Sequence, residues 1–96
     1  MAPLLEIFNT FEEPLALGVD SRQRLLVLDS LPGWIYRFDA AGNSLDRFAG
    51  PASQTFHPRG MTVLADDAII VADTGGARLV FFGPAGNLAG RLGTLG

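Results

Sequence analysis

The feature that most constrains this chain is a repeat: it can be laid over itself at an offset of 44 residues, without a gap, from Pro14 over Pro58 to Gly50 over Thr94. Nine aligned pairs are identical: Pro14/Pro58, Val19/Val63, Val27/Val71, Asp29/Asp73, Phe38/Phe82, Ala41/Ala85, Gly42/Gly86, Asn43/Asn87 and Arg47/Arg91. Where identity is lost, apolar character survives. Leu17 stands over Met61, Leu25 and Leu26 over Ile69 and Ile70, Ile35 over Leu79, and Phe48 over Leu92. A repeat of this length describes one small supersecondary unit, written twice, that buries its apolar faces by stacking on its neighbours.

Each copy contains four short apolar segments separated by turn chemistry. The first, Leu15 to Val19 and Arg59 to Val63, alternates, and Leu17, Val19, Met61 and Val63 read as an inward face. The second, Leu25 to Leu28 and Ile69 to Ala72, is apolar on both faces, as suits a strand packed between neighbouring sheets. Aromatic and branched residues mark the third, Trp34 to Phe38 and Arg78 to Phe82. The fourth, Leu45 to Phe48 and Leu88 to Leu92, is more polar, is interrupted by Gly90, and reads as an outer edge. Between them lie Asp20 to Arg24 and Ala65 to Asp67, Ser30 to Gly33 and Thr74 to Ala77, and Asp39 to Asn43 and Gly83 to Asn87. Gly and Asn accept positive φ and Pro presets an early turn position, so such short loops predict an antiparallel meander with no helix.

Composition narrows the function classes. At 96 residues, 48% of them hydrophobic and 18% charged, the chain is a packed domain, with one domain expected from 1 to 96. The net charge is −3, and the seven basic residues, all Arg, are dispersed, so nucleic acid is disfavoured as a partner. The absence of Cys excludes disulfides and thiolate metal sites. No stretch approaches the roughly 18 apolar residues of a membrane helix, and no signal-peptide pattern opens the chain. No membrane contact and a cytoplasmic location are therefore the expectations.

Val71-Ala72-Asp73-Thr74-Gly75-Gly76-Ala77-Arg78-Leu79-Val80-Phe81-Phe82 and the looser Val27-Leu28-Asp29-Ser30 resemble the NHL repeat, in which an apolar strand closes in Ala-Asp-Ser or Ala-Asp-Thr before a Gly or Asn turn and an Arg-led third strand. Pro58-Arg59-Gly60 matches the opening Pro-x-Gly of that repeat, and Val19-Asp20 its Val-Asp; Ala16 and Leu64 depart from the pattern. The resemblance implies an all-β chain of two antiparallel four-stranded β-propeller blades, blade one over about 14–50 and blade two over about 58–94. It further implies that they belong to, or assemble into, a six-bladed ring. Leu4 to Phe8 resembles the outer strand of a preceding blade, and the chain reads as a piece of a larger array. Other blades, from copies of itself or from a longer chain, are the expected partners, with a protein partner possible at the loops.

The function implied is a non-catalytic scaffold or protein-binding module that presents loops on rigid blades. Two alternatives come with the resemblance: a fragment of a metal-dependent lyase or lactonase, whose metal would be held by His, Glu and Asn from several blades, and an RNA-binding surface. No residue is assigned to catalysis or to a metal, and no cofactor is expected. Asp29 and Asp73 read as turn acids, each accepting backbone N–H groups in its own turn. His57, the lone histidine, lacks companions for a metal shell, and Asp66-Asp67 reads as a solvated turn. Gly75-Gly76 lacks the Lys and helix of a phosphate loop. Trp34 and Tyr36, with Arg37 and Arg78, are candidates for an exposed aromatic and basic spot. Arg59, where the first strand of the second copy begins, is the residue assigned to ligand binding.

Overall fold

The computed structural model describes residues 11–93. The segment Leu4 to Phe8 lies outside them. Eight strands follow in order: β1 (Pro14–Val19), β2 (Leu25–Asp29), β3 (Trp34–Phe38), β4 (Ser44–Phe48), β5 (Pro58–Val63), β6 (Ile69–Asp73), β7 (Arg78–Phe82) and β8 (Leu88–Leu92). They form two four-stranded sheets, β1-β2-β3-β4 and β5-β6-β7-β8, each an antiparallel meander. Among the described residues there is no helix. Asp29 and Asp73 close the second strands from within, and β8 runs through Gly90, because that residue still pairs with Phe81.

Register repeats as faithfully as strand order. Val27 pairs with Leu17 and Tyr36, and Val71 with Met61 and Val80 at the same offset. The bulges repeat too, at Pro14/Ala16 and Pro58/Gly60, and at Arg37/Phe38 and Phe81/Phe82. The turn after each third strand is made twice with the same bonds: Asp39 N and Gly83 N donate to Asn43 O and Asn87 O, while Gly42 N and Gly86 N donate back to Asp39 O and Gly83 O. Gly42 and Gly86 take φ of 89° and 91°, the left-handed region that explains why Gly recurs there.

The main core lies between the sheets. Leu26, Leu28, Ile35 and Phe48 of the first meet Ile69, Val71, Val80 and Phe82 of the second, and the Phe48 and Phe82 rings meet edge to face at 5.5 Å. Burial of a Leu or Ile side chain stabilises by about 1.5–3 kcal/mol, so this interface is what joins the two repeats. Close approach is local: a Cβ on Gly18 would come within 2.7 Å of Val63 Cγ2, and one on Gly86 within 2.9 Å of the Phe48 ring.

Burial departs from the sequence expectation in one respect. β2 is covered on both faces, with Leu26 and Leu28 in the interface and Val27 packed with Phe38, Phe11, Leu25 and Tyr36. β6 is covered on one: Ile69 and Val71 are buried, Ile70 is half-buried and Ala72 is exposed. Likewise Met61 and Val63 pack on the core, whereas their equivalents Leu17 and Val19 are 56% and 58% exposed. The alternation is the same in each pair. Met61 and Val63 face the other sheet, whereas Leu17 and Val19 face none among the described residues.

Candidate functional site

The meander order places the inter-sheet link and the β2–β3 and β6–β7 turns at one end of the sheets, and the remaining turns at the other. At the first end Asp29 and Asp73 hold equivalent positions. Asp29 Oδ1 accepts from Glu13 N at 2.6 Å, and Asp73 Oδ1 from His57 N at 2.8 Å, tying the residue before each first strand to the end of the second. The return bonds also repeat, Ser30 N to Glu13 O and Thr74 N to His57 O. Both carboxylates are buried and work as clamps on the loops.

The clamps differ in their remaining donors. Asp73 also accepts from Gly76 N and from Arg78 Nε, the latter at 3.0 Å. The first repeat has Pro32 and Trp34 at those places, and neither can make the bond: Pro has no N–H, and the indole is not a cation. Asp29 takes Glu12 N instead. Burial pushes the Asp73 carboxyl up, but the His57 and Gly76 N–H groups and the Arg78 guanidinium together hold it below its ordinary value.

The residues proposed from sequence as an aromatic and basic spot do not form one surface. Trp34 lies under the Arg47 guanidinium at 4.1 Å, and Tyr36 packs at 5.2 Å on Phe11. Arg78 is committed to Asp73 and also reaches Thr55 O. Arg37, expected to be exposed, is only 3% exposed, because residue 37 alternates onto the face that meets the second sheet. Its Nη1 donates to Pro84 O across the interface, and its guanidinium sits 4.9 Å above the Phe48 ring. Nε lies 3.2 Å from Asp46 Oδ1 without hydrogen-bond alignment, and Nη2 is buried with no hydrogen-bond partner. Arg59, in β5, is exposed, and its side chain makes no hydrogen bond or ion pair among the described residues.

Sequence reading missed the polar stitches at the second end. Asp20 is buried and takes Arg22 N, Arg24 N and Arg24 Nε. Burial raises its carboxyl pKa, but those donors outweigh it and hold the group below the ordinary value. Asp67 accepts from Ser21 N and Oγ, linking the two β-turns across the interface. Ser30 Oγ donates to Pro58 O at 2.6 Å at the opposite end. Arg37 carried a usable signal, since it stands where the other copy has Phe81, a charge in an otherwise apolar column. Ser21 and Asp67 carried none, because their repeat equivalents, Ala65 and Gln23, do not form such a pair.

Chemically, this arrangement holds loops in place. His57 is exposed, and among the described residues no three His, Asp or Glu side chains converge in a way that would hold a metal ion. No protein-family model matches the chain, and no curated protein matches it. Among solved structures it is similar to virginiamycin B lyase from Staphylococcus aureus, a β-propeller protein, with a TM-score of 0.66 and 21% identity over 79% of this chain. The chain is a pair of β-propeller blades. It spans a quarter of the length of that lyase, 25%, and at this identity the likeness speaks for the fold alone. The first sheet is thus blade one and the second blade two. No helix among the described residues is long and apolar enough to cross a membrane.

Proposed function

We propose that this blade pair is an NHL-type scaffold that binds protein through its loops and carries out no chemistry itself. The observation that supports this most is the use of the acids. Asp29, Asp73 and Asp20, the buried carboxylates, are all taken up by backbone N–H groups, with Arg24 and Arg78 as further donors. An acid held in this way fixes loop geometry and has little capacity left to move a proton. Exposed loops on a rigid frame suit recognition, and Arg is an effective anchor at protein interfaces. Arg59, exposed and with a side chain that has no partner among the described residues, is the anchor of choice.

A peptide library displayed on phage and selected against the chain tests this reading. Enriched peptides should lose at least tenfold in affinity on Arg59→Ala while the circular dichroism spectrum stays unchanged. The competing reading is a segment of a metal-dependent propeller enzyme of the lyase or lactonase type; virginiamycin B lyase, whose fold the chain shares, supplies the compound with which to test it. Incubation with virginiamycin B, followed by mass spectrometry, discriminates the two. Turnover of that compound, or a library that yields no binder sensitive to Arg59, overturns the scaffold reading.

A further inference from the structure

We propose that a second copy of this chain docks head to tail, its blade one packing on the open face of blade two as blade two packs on blade one within the chain. The case rests on the repeat. The buried face of blade one is built from Leu26, Leu28, Ile35 and Phe48. At the offset of 44 these become Ile70, Ala72, Leu79 and Leu92, which form the face of blade two that has no facing sheet among the described residues. Leu79 is 38% exposed and Leu92 62% exposed.

The opposite side of the chain supplies the matching half. Blade two meets blade one through Met61, Val63, Ile69, Val71, Val80 and Phe82. Their equivalents on blade one are Leu17, Val19, Leu25, Val27, Tyr36 and Phe38, apolar at every position; Leu17 and Val19 are uncovered, while Val27 and Phe38 are already buried beside Phe11. Phe56 packs beside the internal interface, and Phe11 packs in the same way beside Val27 and Phe38. One molecule therefore carries, on its two outer faces, both halves of an interface that it already makes once. A contact between unlike faces propagates, closing into a ring if the rotation permits.

Two departures from the repeat make the outer contact differ from the inner one. Phe81 and Gly90 replace the buried Arg37 and its partner Asp46, so the open face has no charge to desolvate in its centre. Thr62 replaces Gly18, whose missing Cβ lets β1 approach β5, so the inner strands meet less closely.

Sedimentation velocity over a range of concentrations tests the proposal, independently of any peptide bound at Arg59. Parent chain should rise in mass with concentration above 10.2 kDa. Leu79→Arg with Leu92→Arg, and separately Leu17→Arg with Val19→Arg, each remove one of the two unlike faces from every copy and should each leave monomer in a pure sample. Mixed in equal amounts, the two variants retain one intact pair of unlike faces and should form a heterodimer of twice the chain mass. Leu31→Ser, in a turn, should leave association unchanged. A parent that stays monomeric throughout, or blocked variants that are folded by circular dichroism yet fail to pair when mixed, overturns it.

Discussion

Blade one and blade two share strand order, register, bulges and turns, yet they hold their residues differently. Leu28 and Ile35 are fully buried, while Ala72 and Leu79 at the same places in blade two are exposed. Asp73 holds two backbone N–H groups and an Arg, while Asp29 holds two backbone N–H groups alone. Local pattern thus sets what each blade is. Its neighbour sets how much each residue contributes.

The sharpest way to break this comparison is to truncate equivalent residues. Ile35→Ala removes a fully buried side chain at the blade interface and should cost about 3 kcal/mol or more. Leu79→Ala, at protein concentrations where the chain is monomeric, should cost under about 1 kcal/mol, because that side chain is already partly in water. Urea unfolding of the two variants measures the difference. Equal losses would mean that burial between the blades does not hold the pair together.

Next in size is the contrast between the two clamps. Asp73→Asn weakens acceptance from three donors, Arg78 among them, and should destabilise by about 2–3 kcal/mol, against about 1 kcal/mol for Asp29→Asn. Acid sharpens the test. The folded pKa of Asp73 lies below its ordinary value of 3.8, so between the two the unfolded chain binds more protons than the folded one. The stabilisation from Asp73 is complete above the ordinary Asp value and disappears as pH falls through the folded one. Asp20, Asp39 and Asp67 are lowered as well and act in the same direction. Unfolding midpoints should therefore fall steeply below about pH 4, and Asp73→Asn should flatten part of that slope.

The smallest effect concerns what blade one has where blade two has the Arg78 clamp. Trp34 turns instead to Arg47, with the guanidinium 4.1 Å above its ring. A double-mutant cycle with Trp34→Leu and Arg47→Met should give a coupling of about 0.5–1 kcal/mol. A coupling indistinguishable from zero would leave Trp34 only its packing on Gly50, where an added Cβ would come within 2.8 Å of the indole.

How much of this was legible beforehand varies with the kind of interaction. The eight strands followed from apolar segments and turn residues, and a short acid at a strand end pointed to carboxylates that accept backbone N–H groups in their own turns; Asp73 takes one there, from Gly76, whereas Asp29 takes both of its own from Glu12 and Glu13. Arg37 did not follow. Strand composition marked it as a basic residue beside aromatic ones, but its face points at the other blade, whose Pro84 O accepts from it, while the Phe48 ring of its own blade lies beneath it. Ser21 and Asp67 are 46 residues apart in mismatched repeat positions, and only the packed pair of blades brings them within hydrogen-bond range.

By itself the sequence determined the unit: two copies of a four-stranded meander, with their register and turns, because side-chain alternation and backbone preferences act over a few residues. The tertiary structure alone decided which face of each copy is dry, which arginine is sealed between blades, and which acid holds which loop. Burial and long-range pairing belong to no residue singly. They depend on what stands opposite, and the same apolar column is core in blade one and open surface in blade two.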